Sequence, residues 1–298
     1  MSVKKRYILY DPEAANGRGR WEAEVLEIVY ENTVYYDITQ IRSYEGFFDR
    51  LDGADEVILC GGDGTLNRFA NDVRDISIRN PVYFYSIGRG NDFVRDLGYR
   101  AYDDPNFSIN PYIERLPRVT VNGEERLFLN GVGFGVDGYC CEEGDRLRKK
   151  VKQRREDKPI NDTRIAVKGL LFHFEPVNAK VTVDGQSYTY QKVWLAPTMN
   201  GRYYGGGMMP APDQQRLGEP RRLTLMVMHG GGRLRTLMIF PSIYKGKHLN
   251  HRKYVDILCG EHITVSFDRP APLQIDGETV RGVTEYTAAA DVRKAVCC

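Results

Sequence analysis

The run Asp55-Glu56-Val57-Ile58-Leu59-Cys60-Gly61-Gly62-Asp63-Gly64-Thr65-Leu66-Asn67 sets an apolar, β-branched segment against three glycines that enclose one aspartate. It reads as a strand ending in a tight loop, with Thr65 and Asn67 opening a helix. Glycines let backbone N–H groups approach a polyphosphate closely, and a helix N-terminus adds partial positive charge. An ordinary strand-to-helix turn would account for the glycines alone. It would not account for Asp63, whose carboxylate repels phosphate unless a divalent cation, here Mg²⁺, stands between them.

The segment Val82-Tyr83-Phe84-Tyr85-Ser86 gives another apolar strand, followed by Ile87-Gly88-Arg89-Gly90-Asn91-Asp92-Phe93-Val94-Arg95-Asp96-Leu97-Gly98. The design of strand, glycine turn and acidic helix start is repeated. With these two motifs the chain resembles the diacylglycerol kinase catalytic-domain family, which also contains sphingosine and ceramide kinases and bacterial lipid kinases. The family is marked by GGDGT-x-N and then by G-T-x-N-D-x-A-R-x-L-G. Further similarities follow in the family's order. Asp11 to Gly19 resembles its N-P-x-(A/S)-G-x-G loop, and Phe128 to Asp137 its N-x-x-x-x-G-x-D run. Gly205 to Pro212 is similar to G-G-G-x-x-x-A-P, and Gln274-Ile275-Asp276-Gly277-Glu278 to the late D-G-E.

The resemblance implies an ATP-dependent lipid kinase that phosphorylates a hydroxyl of a diacylglycerol-like lipid, with ATP and Mg²⁺ as cofactors. It places the nucleotide on Asp11, Asn16, Gly17, Thr39, Gly61, Gly62, Asp63, Gly64, Thr65, Asn67, Gly88, Arg89, Gly90 and Asn91. Asp63, Asp92 and Asp137 would organise the metal, and Asp276 or Glu278 would be the base that takes the acceptor's proton. The lipid would sit in a cleft between two domains. Strand alternation could bring Asp276 and Glu278 to one face; a plain Asp-Gly hairpin turn is the other reading of the same residues.

The chain also departs from the family. Arg68 stands where Glu is usual, Arg89 where Thr is usual, and Asp11 where Asn is usual. Arginine offers a bidentate fork to phosphate, so these residues could hold nucleotide directly or mark an altered preference. Relatives carry a D-x-x-D-G segment whose carboxylates hold a second cation. Here Pro212 to Leu223 keeps only Asp213 well placed and adds Arg216, so that second site is not expected. Two other functions compete. One is an NAD kinase-like phosphotransferase, which shares GGDGT but needs a different acceptor segment. The other is a non-catalytic nucleotide or lipid sensor, suggested by Arg68 and Arg89.

The 298 residues are 42% hydrophobic and 28% charged, with a net charge of +2. Such a balance fits a globular protein and gives no footprint for nucleic acid. No apolar run approaches the roughly 20 residues that span a bilayer, and Met1 to Lys5 lacks a signal-peptide core. The expectation is a cytoplasmic protein working peripherally at the membrane. Its six cysteines lack ligand spacing and read as free thiols, with Cys297-Cys298 an ordinary tail.

Strand and helix signals alternate over residues 1–115, which predicts an α/β nucleotide-binding domain with a parallel sheet. Within it, Trp21, Val25, Leu26, Ile28 and Val29 carry helical spacing, and Tyr44 to Leu51 a short helix. Residues 116–298 read as a β-rich, sandwich-like domain that contributes the lipid acceptor site and the base. Its short strands are joined by turns such as Asn122-Gly123 and Asp184-Gly185. Helical segments are expected near 142–155, 161–173 and 233–246. Arg146 to Arg155 holds seven basic residues in ten. This is either a solvated helix or a surface drawn to anionic headgroups at about 1 kcal/mol per basic residue.

Overall fold

Val57, Ile58, Leu59 and Cys60 are all buried, at the centre of a four-stranded parallel sheet. A strand with helices on both faces reads as a continuous apolar run rather than an alternating one. In this computed structural model, which describes residues 4–88, 91–104, 106–154, 165, 169 and 173–290, the chain divides after Leu116 into two units. The first contains β1 (Arg6–Tyr10), β2 (Thr33–Asp37), β3 (Glu56–Gly61) and β4 (Val82–Ser86). They lie in the order β2-β1-β3-β4, every pair parallel. Each glycine-rich loop therefore leaves the carboxyl edge of the sheet, where open α/β folds bind ligands.

The helix Asp63–Asp72 follows β3 and buries Leu66, Phe69 and Ala70. Phe69 meets Tyr44 and Phe48, from the helix Tyr44–Phe48 and its end, at ring distances of 5.3 and 6.5 Å. The segment after the first loop differs from expectation. It forms a helix Gly19–Glu24 that tightens into a 3₁₀ turn Val25–Ile28, and it turns Ala23 and Leu26 inward. Trp21, Val25, Ile28 and Val29 remain exposed. The sequence here carries two apolar stripes, and the sheet can cover only one.

The second unit is antiparallel and β-rich. Its strands are β5 (Arg118–Val121), β6 (Glu124–Leu127), β7 (Gly131–Gly135), β8 (Val177–Val183), β9 (Gln186–Val193), β10 (Leu195–Met199), β11 (Leu223–Met228), β12 (Val255–Gly260), β13 (His262–Ile275) and β14 (Glu278–Ala289). They pair in the order β12-β11-β10-β7-β13-β14-β5-β6, with β8 on β13 and β9 on β8. Val119 of β5, Val181 of β8 and Leu225 of β11 share one core, so the sheet closes upon itself like a sandwich. Three hairpins use the same turn: Asn122-Gly123, Asp184-Gly185 and Asp276-Gly277 all have positive φ at both residues, the two-residue geometry that suits twisted strands.

The helix Val136–Arg154 contains the first expected helical segment, and Arg233–Ile239 followed by a 3₁₀ turn Phe240–Lys245 the third. The second, near 161–173, falls largely outside the described residues. So do Arg155 and the basic side chains from Arg148 to Arg154, and the membrane reading of that run stays an expectation.

Candidate functional site

In the first unit three loops converge through named contacts. Asp11, at the end of β1, is buried, and its Oδ2 accepts from Thr65 Oγ1 at 2.7 Å. Asp63 Oδ2 accepts the backbone N–H groups of Asp92 and Phe93 at 2.8 and 3.2 Å, tying the β3 loop to the β4 loop. A Cβ added to Gly62 would lie 3.6 Å from Asn91 Oδ1, and one on Gly88 3.7 Å from Ala15 Cα. Gly61 has no room for a side chain: its Cβ would come within 2.4 Å of Thr65 Cβ. Glycine at that position lets the helix turn back over the strand end.

Asn16 and Gly17 belong to a left-handed turn that includes Ala15, with φ of 51, 60 and 82° over the three residues. A non-glycine residue there costs about 1–2 kcal/mol, and such strain concentrates at ligand loops. Asn91 is buried and donates to Gly88 O at 3.4 Å. Asn67 accepts from Asn71 along its own helix. Gly64 is exposed at the helix start. Thr39 follows β2 on the same sheet edge, and its N–H and hydroxyl both donate to Asp37 Oδ1. Arg89 and Gly90 lie outside the described residues.

The unusual Arg68 has a structural counterpart. Its guanidinium stands 4.0 Å from Asp11 Oδ2, so two of the departures, Asp at 11 and Arg at 68, face one another as an ion pair. Asp92 is buried, with Arg95 3.8 Å from its Oδ1. Among the described residues no three His, Cys, Asp or Glu side chains gather as a protein metal cage. Mg²⁺ is usually held by one or two carboxylates together with substrate phosphates. Asp63 and Asp92, joined at the heads of two helices, suit that demand without a cage.

The second unit holds Asp137, Asp276 and Glu278. Asp137 opens the helix Val136–Arg154, and its carboxylate lies over Gly133 of β7, where a Cβ would collide with it. Its Oδ1 accepts from Gly138 N at 2.9 Å. Tyr204 and Gln274 face it, and both oppose the effect of burial on its pKa. Burial raises its pKa to about 7, and the Gly138 N–H pulls the other way. The unfolded chain releases this proton near pH 4. The native state holds it longer, so stability is lost as pH rises through that window. We expect Asp137→Asn to remove this slope: its urea midpoint, relative to wild type, should climb between about pH 5 and pH 8. A difference that stays flat or falls would contradict this.

Asp276 and Glu278 do not share a face. Asp276 sits in the left-handed turn, φ 47°, where strand alternation does not apply. Asp276 is half-buried, and its carboxylate accepts from the backbone N–H groups of Leu129, Asn130 (2.7 Å) and Gly131 (3.0 Å). Glu278, at the head of β14, is 73% exposed and lies 4.0 Å from Arg126. Desolvation raises the pKa of Asp276, while the three N–H groups and the charge of Arg216 oppose the rise.

Arg216 is one of the residues whose role the sequence left hidden. It is buried and donates to Leu129 O at 2.6 Å and to Asn130 Oδ1. Asn200 donates to Leu129 O as well, and accepts from Arg221 at 3.0 Å. The 129–131 segment is thus held by Asp276 through its N–H groups, and by Arg216 and Asn200 through its oxygens. The only signal in the sequence was the arginine standing where relatives place carboxylates.

Two family profiles match the chain: the diacylglycerol kinase catalytic domain over residues 5–119, and the YegS C-terminal NAD kinase beta sandwich-like domain over residues 131–291. A diacylglycerol kinase of Mycobacterium tuberculosis (strain CDC 1551 / Oshkosh) is 24% identical over 203 residues, 66% of this chain; the match spans 62% of that relative's length. A diacylglycerol kinase of Bacillus subtilis (strain 168) is 22% identical over 291 residues, 93% of this chain and 90% of the relative. The crystal structure of a diacylglycerol kinase from Bacillus anthracis str. Sterne superposes with a TM-score of 0.60 at 18% identity, over 97% of this chain and 95% of that one.

Proposed function

We propose, from the premise that this chain belongs to the family joining a diacylglycerol kinase catalytic domain to a YegS-type C-terminal domain, that it transfers a phosphoryl group from ATP to a hydroxyl of a diacylglycerol-like lipid. The observation that carries this reading is the convergence of the three glycine-rich loops: Asp11 on Thr65, Gly88 against Ala15, and Asp63 on the N–H groups of Asp92 and Phe93. Phosphoryl transfer is chiefly positioning and charge stabilisation. Backbone N–H groups of Gly61 to Thr65 and Gly88 to Asn91 would bind the phosphates, with Arg68 on the next turn as an added cation.

Mg²⁺, held by Asp63 and Asp92, with Asp137 as a further candidate, would neutralise charge developing on the phosphates. Asp276 is the candidate base. Burial makes its carboxylate more basic than a surface one, which is the direction a proton acceptor needs. Its tie to the 129–131 backbone fixes its position. Glu278 is exposed and is not proposed as the base.

The test is radiolabelled ATP offered with a panel of acceptors in mixed micelles: diacylglycerol, monoacylglycerol, a sphingoid base and ceramide, with NAD as a water-soluble control. Label in one lipid, lost on chelation of Mg²⁺, is the expected result. Label in NAD alone would move the chain to dinucleotide chemistry. Tight nucleotide binding with no labelled acceptor would leave a sensor.

A further inference from the structure

The helix Gly19–Glu24 and its 3₁₀ continuation present an apolar stripe that nothing among the described residues covers. Trp21 is 61% exposed, Val25 41%, Ile28 85% and Val29 59%. Trp21, Val25 and Ile28 recur at the spacing of one helix side, Val29 follows at the end of the turn, and Ala23 and Leu26 pack inward. Four of the charges beside it are paired, while Glu27 in the same turn is exposed. Arg18 pairs with Glu22 at 3.3 Å and stands 5.9 Å over the Trp21 ring, and Arg20 pairs with Glu24 at 3.0 Å.

We propose that this stripe is the surface by which the protein enters the interface of a phospholipid bilayer. The patch is four side chains, far fewer than the roughly 20–30 residues a side that a stable protein complex buries. Chemistry favours a bilayer over a second protein surface. An indole beside aliphatic side chains suits the headgroup boundary, where one end of the ring stays wet and the rest is buried. The choice of a bilayer as occupant rests on the lipid-acceptor reading above, since such a substrate resides in one.

Entry of this kind is driven by apolar burial, so it should persist at high salt, whereas attraction through the basic run would be screened. The chain has two tryptophans, and Trp194 is 2% exposed. A change in emission on adding vesicles therefore reports Trp21. With phosphatidylcholine vesicles, with or without phosphatidylglycerol, the full chain should show a blue-shifted emission quenched by brominated acyl chains. Ile28→Glu and Val25→Glu should weaken vesicle partitioning by about tenfold or more, as expected for exchanging an inserted aliphatic side chain for a charge.

Both variants should melt as wild type does, because the positions are exposed. Turnover on vesicle-borne lipid should fall with partitioning, while turnover on a soluble short-chain acceptor stays unchanged. No spectral change and no sedimentation with either vesicle would overturn the proposal. So would a stable dimer in ultracentrifugation that Ile28→Glu dissolves. If wild type labels no lipid at all, the kinase reading falls, yet the vesicle arm still decides the docking surface.

Discussion

Asp63→Asn is expected to lower turnover by about a thousandfold or more, several kcal/mol of lost transition-state stabilisation, while the protein stays folded. The two consequences separate because one side chain does two things. Its Oδ2 accepts from Asp92 N and Phe93 N, and the amide oxygen of asparagine can accept the same two N–H groups. The negative charge, by contrast, is gone, and with it the reason for a carboxylate inside a phosphate loop. The checks are the melting curve, nucleotide affinity with and without Mg²⁺, and turnover. A normal melt with nucleotide binding that no longer responds to Mg²⁺ is the expected pattern. Near-wild-type turnover at limiting Mg²⁺ would remove Asp63 from the chemistry and leave it as the cap of the next helix.

Asp276→Asn should fail in two ways at once. As the candidate base it should lose turnover by roughly 10² or more, the range that general-base catalysis contributes. As the acceptor for three backbone N–H groups it should also lose stability, because the new amide N–H₂ must point at a donor. Leaving a buried donor unmatched costs about 1–3 kcal/mol. The turn itself is no obstacle, since asparagine tolerates left-handed backbone. Urea unfolding gives the second loss and single-turnover kinetics the first. Glu278→Gln is the control, and should leave both almost unchanged because the side chain is exposed. A variant at 276 that is destabilised yet turns over normally would show the carboxylate to be a tie for the 129–131 segment alone.

Much of this architecture could be read from local pattern. The apolar run Val57 to Cys60 and the glycines after it specify a buried parallel strand and its loop, because period, turn chemistry and burial agree within a dozen residues. Asn122-Gly123 and Asp184-Gly185 were legible for the same reason. The helix after the first loop was legible as a helix but not in its facing: Trp21, Val25 and Ile28 have helical spacing, yet spacing does not say which stripe the sheet will cover. The partners of the site residues were not legible either. Arg68 meets Asp11 across 57 positions, and the Asp276 carboxylate reaches backbone more than a hundred residues away. The Asp-Gly pair announces a turn but not what its side chain will hold. Those are tertiary facts, and local sequence carries no trace of them.

The bond from Asp276 to Leu129 closes a separation of 147 residues, and those to Asn130 and Gly131 close 146 and 145. Contacts so distant along the chain are late events in folding, since loop-closure entropy must be met before they return any energy. During synthesis, β5 to β12 emerge from the ribosome before the hairpin of β13 and β14 that carries Asp276. Until that hairpin docks, Leu129 to Gly131 has its oxygens reachable by Arg216 and Asn200 but its N–H groups unclaimed. The 129–131 segment therefore waits for that hairpin, and a chain interrupted before β13 would lack the carboxylate that ties it.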